Sequence, residues 1–119
     1  MTAKVDSVSR MKAVFYRDPE GGEPVRRWLD TLVGGMRKSV LRDIASTELG
    51  WPDRCPPVEA HGGGLFSIVT FVGDGTSGKR TYFFVEESSM LLLHGADHGT
   101  AGLDNARRHL SDHRSRTRS

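Results

Sequence analysis

Between Gly62 and Gly95 the chain carries GGGLFSIVTF, a glycine-rich turn, KRTYFFVEE and MLLLHG in succession. Apolar runs of this kind, parted by glycine, serine and aspartate, predict three consecutive strands. Leu65 to Val72 is apolar on both alternating faces, which predicts a central strand covered on both sides. In the next run Arg80, Tyr82 and Phe84 share one face, and Thr81, Phe83 and Val85 share the other. A meander with two apolar faces must be packed by other elements.

The flanking segments supply them. KAVFYR, Lys12 to Arg17, predicts a first strand, which Asp18, Pro19, Gly21 and Gly22 then break. Pro24 stands where a first-turn proline is tolerated. Val25, Trp28, Leu29 and Leu32 follow at helical spacing as one apolar stripe. Gly34 and Gly35 are expected to end that helix, and a second is expected from near Met36, with Val40, Leu41, Ile44 and Ala45 inward. Gly50, Trp51 and Pro52 stop it. Trp28 and Trp51 read as core.

Pro52 to Gly64 reads as an irregular connection. Glu86 to Ser89 reads as a turn, Met90 to His94 as the last strand, Asp97 to Gly102 as a polar loop, and Leu103, Ala106 and Leu110 as the stripe of a terminal helix. The predicted class is α+β: a small, mainly antiparallel sheet of an N-terminal strand plus a three-stranded meander, packed by a helical hairpin, with a short C-terminal helix. Residues 1–11 are expected to be a flexible extension, 12–113 the folded domain and 114–119 a basic disordered tail.

The chain's 119 residues suit one domain with one core and one site. No apolar run approaches the roughly 20 residues that cross a bilayer, and MTAKVDSVSR has no signal-peptide pattern. Together with a single cysteine, Cys55, these features predict a cytoplasmic protein without membrane contact. Of the formal net charge of +2, residues 105–119 hold +4, five arginines against one aspartate, which leaves −2 for the remainder. Cations so placed suit nucleic-acid phosphates or a solvated end.

Two motifs carry less than their spacing suggests. Gly73, Gly78 and Lys79 have P-loop spacing, but Arg80 stands where serine or threonine should bind magnesium, and the segment joins two strands. A hairpin turn explains them, and no nucleotide cofactor is expected. His109 and His113 lie one helical turn apart, yet zinc asks for three or four converging ligands. No metal is expected.

EPVRRWLDTL, DIASTELGWP, GGGLF, MLLLHG and ARRHL, in this order across residues 12 to 112, resemble the phage-associated HigB-like toxins of the RelE superfamily. The resemblance implies a type II toxin that cleaves ribosome-bound mRNA without metal or other cofactor, and a cognate antitoxin as partner. Such chemistry needs a cation for the phosphorane and a proton carrier. Arg80 matches an arginine that relatives carry and is expected to be the phosphate cation. His98 is the expected proton carrier, and Tyr82 a same-face hydrogen-bonding or stacking group. Lys79, Arg107 and Arg108 are candidate RNA contacts. Arg80 has a competing reading as ion-pair partner of Glu86 or Glu87, and His94 one as a hydrogen-bonded core histidine. Ser67, Ile68 and Val69 stand where relatives carry glutamate, leucine and arginine, and Asp97, His98 and Gly99 where they carry paired lysines. These departures leave open a toxin-fold protein that acts by binding alone.

Overall fold

The computed structural model describes residues 11–53, 56–71, 78–97 and 100–117. They form strands β1 (Lys12–Phe15), β2 (Val58–Gly62), β3 (Leu65–Phe71), β4 (Gly78–Glu86) and β5 (Ser89–Ala96). The helices are α1 (Pro24–Thr31), α2 (Gly34–Gly50) and α3 (Thr100–Thr117). The strands make one α+β sheet in the order β1-β5-β4-β3-β2, antiparallel throughout except that β1 lies parallel to β5.

The alternation read from β4 decides how the sheet is covered. Phe83 joins Ile68, Met90 and Leu92 against Val25 and Leu29 of α1 and Val40 and Ile44 of α2. Tyr82 joins Leu65, Leu91 and Leu93 on the other face, against Ala106 and Leu110 of α3. Trp51 meets both Phe66 and Phe83 edge-on, at ring distances of 4.9 and 5.6 Å.

Four expectations are corrected. First, the sheet has a fifth strand, because Val58–Gly62 pairs antiparallel with β3 inside the stretch read as irregular. Its hairpin to β3 turns at Gly63 and Gly64, with φ of 66° and 87°, the left-handed backbone that two-residue hairpins need and that glycine adopts without steric cost. Second, β3 is interior, but the middle strand is β4. Third, Gly34 and Gly35 open α2 and do not close α1. Arg37 caps α1 from outside, donating from Nε to the Leu29 carbonyl at 2.9 Å and from Nη2 to that of Leu32 at 3.0 Å. The Leu29 carbonyl also accepts the Leu32 backbone N–H at 3.1 Å, so the guanidinium adds donors at a helix end where a C-capping glycine was expected.

Fourth, the C-terminal helix is long. It begins at Thr100, within the expected loop, and continues through the expected loose tail to Thr117. Arg114 explains part of this by donating to the Gly63 carbonyl at 3.2 Å and lying 5.0 Å over the Phe84 ring. Arg116 bonds to Asp112 and to the Arg17 carbonyl. Cations in a last helical turn also face the negative end of the helix dipole.

β5 carries a bulge. Tyr82 pairs with His94 and Phe83 with Leu92, so Leu93 is the extra residue. Leu93 packs beside Tyr82 and Leu110, and the His94 ring lies 5.4 Å from that of His109 on α3, so two consecutive side chains leave on one face. Gly95 then returns to the α1 face, where an added Cβ would stand 1.9 Å from a Trp28 ring carbon. Gly95→Ala should therefore overpack the α1–β5 contact and cost about 1–3 kcal/mol. Urea unfolding followed by tryptophan fluorescence measures it, and an unchanged midpoint would contradict the close approach.

Candidate functional site

Strands β2, β3 and β4 bring a connected set of polar side chains to the sheet face that α3 covers. Glu59 and His61 are two residues apart on β2 and leave on the same side. Glu59 pairs in register with Ser67 of β3, and Val69 of β3 pairs with Arg80 of β4. Reaching across β3, Arg80 donates from Nε to Glu59 Oε1 at 3.0 Å and from Nη2 to Oε2 at 3.1 Å. This is the two-pronged geometry that a planar guanidinium and a carboxylate favour.

Ser67, fully buried, donates from Oγ to Glu59 Oε1 at 2.9 Å, and His61 Nε2 lies 3.0 Å from the same Oγ. The hydroxyl has given its single hydrogen to the carboxylate, so His61 Nε2 must be the donor here. A neutral imidazole then carries its lone pair on Nδ1. The result is a relay from His61 through Ser67 to Glu59, with Arg80 closing its far end.

The electrostatics fit that arrangement. The Arg80 hydrogen bonds hold the Glu59 carboxyl below the usual carboxylate range, against the opposing effect of burial. The same bonds push Arg80 up. Burial pushes His61 below the ordinary imidazole value, Glu59 opposes it, and Arg107 and Arg80 push the same way as burial. At neutral pH the set therefore holds a carboxylate, a guanidinium and an uncharged imidazole. A neutral histidine with a free Nδ1 and a backed Nε2–H can accept a proton.

The sequence-assigned residues divide around this set. Arg80 is in it, although its carboxylate partner is Glu59, and not Glu86 or Glu87; Glu86 lies 2.9 Å from His113 Nε2 instead. Tyr82 borders it, with its ring 5.7 Å from that of His61. Only 2% of Tyr82 is exposed, so its ring is wall and not a stacking platform, and burial raises its hydroxyl pKa. Arg107 is exposed, close enough to act electrostatically on His61, and among the described residues it makes no hydrogen bond or ion pair.

The other assigned cations stand elsewhere. Arg108 acts on His94 and His109. Lys79 leaves β4 on the side opposite to Arg80 and pairs with Asp97 at 2.8 Å. His98, like Cys55, lies outside the described residues. Glu59 and His61 were missed because β2 was missed, and with them the hydrogen bonds that give Ser67 its place in the set. Their one local signal is the alternation Glu59-x-His61 immediately before the glycine turn.

A second polar group lies nearer β1. Tyr16 donates its hydroxyl to Asp112 at 2.6 Å, and burial, followed by Asp112, pushes its pKa up to about 12. Its ring lies 4.9 Å from His109. His94 is neither the well-bonded core histidine expected nor a free catalyst, because its buried Nδ1 has no hydrogen-bond partner among the described residues. Also among the described residues, no three His, Cys, Asp or Glu side chains are grouped to hold a metal ion, and no helix is long and apolar enough to cross a membrane.

Compared with protein-family models, curated proteins and solved structures, the chain matches none.

Burial lowers the His94 pKa from 6.5 to about 4, and the neighbouring His109 and Arg108 add to it. The unfolded imidazole takes up a proton as pH falls through about 6.5, whereas the folded one does so only near 4, so stability drops across that window. His61 and His109 shift in the same direction. His94→Leu removes both the titration and the unpaired Nδ1. It should lose less thermal stability than the parent between pH 7 and pH 5, measured by circular dichroism; equal losses would refute the burial account.

Proposed function

We propose that this protein is the toxin of a type II toxin–antitoxin pair, acting in the cytoplasm as a metal-independent endoribonuclease on ribosome-bound mRNA and silenced by a cognate antitoxin. The observation that carries the reading is the His61–Ser67–Glu59 relay, with Arg80 at one end and Arg107, which makes no hydrogen bond or ion pair among the described residues, beside it. The resemblance to HigB-like toxins supplies the substrate class. Ser67 stands where those relatives carry glutamate, and a carboxylate is hydrogen-bonded to it from the neighbouring strand, as Glu59.

In this reading His61 Nδ1 takes the proton of a ribose 2′-hydroxyl. The freed O2′ bonds to the adjacent phosphorus and the P–O5′ bond breaks. The leaving oxygen takes a proton, for which His98 is the sequence's candidate. The positive charge gained by His61 is offset through Ser67 by Glu59, which also holds the ring in the tautomer that leaves Nδ1 open. Arg80 and Arg107 offset the charge that builds on the phosphorane oxygens.

One observation favours a second reading, a protein of this fold that acts only by binding. Arg80 gives both hydrogen bonds to Glu59, so a substrate phosphate must compete with a carboxylate for it.

Inducible expression with transcript-end mapping separates the two readings. The nuclease reading expects growth arrest and new mRNA ends that require ribosomes. It also expects cleavage to fall about 100-fold or more in His61→Ala, in the range general acid–base catalysis supplies, and to fall similarly in Arg80→Ala. Full cleavage in His61→Ala removes the assignment of the base. No arrest and no new ends, from a folded protein that captures a partner, establish the binding reading.

A further inference from the structure

A cleft of about 350 Å³ opens between the Gly62–Gly63 end of the β2–β3 hairpin and α3, lined also by Leu65, Arg107, Leu110, Ser111 and Arg114. Arg107, Leu110, Ser111 and Arg114 recur at i, i+3, i+4 and i+7 and therefore form one helical stripe. A stripe that faces a sheet is normally apolar. This one ends in an arginine on each side of a leucine and a serine, and the two Cα atoms stand about 10 Å apart by helix rise. Two guanidiniums turned into one cleft repel each other, and an anion between them removes that cost.

The cleft is built as well as charged. Arg114 is held in place by its hydrogen bond to the Gly63 carbonyl and by the Phe84 ring beneath it, which leaves most of its five N–H donors unused by these contacts. Arg107 keeps all of its donors free among the described residues. Leu65 and Leu110 are buried and make an apolar floor. Gly62 and Gly63 carry no side chain, and a Cβ on Gly62 would meet nothing within 4 Å, so the backbone rim is open to a ligand. Gly62 follows His61 directly, so the cleft adjoins the relay.

We propose that this cleft is a nucleotide subsite for single-stranded RNA: Arg107 and Arg114 hold a phosphate, and Ser111 bonds to it or to the sugar, above the closed floor of Leu65 and Leu110. The volume suits one nucleotide, near the lower end of ordinary ligand pockets. The proposal rests on the nuclease reading and deepens it, since a strand seated here runs past His61 and is positioned before any bond is broken.

The test is a ¹⁵N–¹H NMR titration of the full chain with a 2′-O-methyl RNA trinucleotide, which binds but lacks the 2′-hydroxyl needed for cleavage, and separately with inorganic phosphate. The trinucleotide should shift the amides of Gly62, Gly63 and Ser111 saturably and bind about tenfold or more tightly than phosphate. Arg107→Ala should weaken it about tenfold, as loss of a charged hydrogen bond predicts, and so should Ser111→Asp, which places a carboxylate in the cleft. Arg42→Ala removes the same charge from exposed α2 on the opposite face and should change binding less than twofold.

No shift at these amides overturns the subsite. So does phosphate binding as tight as the trinucleotide, or equal weakening in Arg42→Ala and Arg107→Ala. Binding here without cleavage of ordinary mRNA keeps the subsite and removes the nuclease. Cleavage without binding here does the reverse.

Discussion

Along β4 the side chains of Thr81 and Phe83 leave toward α1 and α2, while Arg80, Tyr82 and Phe84 leave toward α3, because successive residues of a strand point to opposite faces. As the middle strand, β4 passes this division to its neighbours through pairing register. On one face the outcome is a mainly apolar layer under two helices. On the other, Tyr82 and Leu65 fill the centre, and Arg80 meets Glu59 toward the β2 edge. A register slip of one residue would exchange the faces and bury Arg80 under α2, so the apolar content of both layers protects the polar site.

The Arg80–Glu59 pair links three strands without itself being deeply buried; the two side chains keep 26% and 41% of their exposure. At such exposure an ion pair contributes little stability by itself. Its consequence is geometric. It orients a carboxylate that fixes a serine hydroxyl, and the hydroxyl fixes the tautomer of His61. The bulge at Leu93 acts similarly at β5, turning His94 toward α3 and leaving Gly95 to receive Trp28.

Much of the architecture was legible locally. The two-residue period of KRTYFFVEE separated the faces correctly, and the stripe of Val25, Trp28 and Leu29 announced α1. Where local reading failed, a long-range partner had replaced a local signal. Gly34 and Gly35 looked like a helix end because the capping group, Arg37, comes later in the chain. The arginines past His113 looked like a loose tail because their acceptors, Gly63 and Arg17, are distant in sequence. β2 was hidden because a short edge strand of mixed polarity acquires its hydrogen bonds only from β3.

The same contrast separates what each level determined about the site. Sequence alone placed Arg80 and Tyr82 on one face and put Arg107 and Arg108 on a terminal helix, since strand and helix periods depend only on local backbone geometry. Only the tertiary structure could choose Glu59 as the partner of Arg80, bring His61 into the same chain of hydrogen bonds, and set Arg107 and Arg114 around a cleft. Those contacts join segments up to 51 residues apart, as between Gly63 and Arg114, and such distances close only when the apolar faces of the sheet and its helices have been buried together.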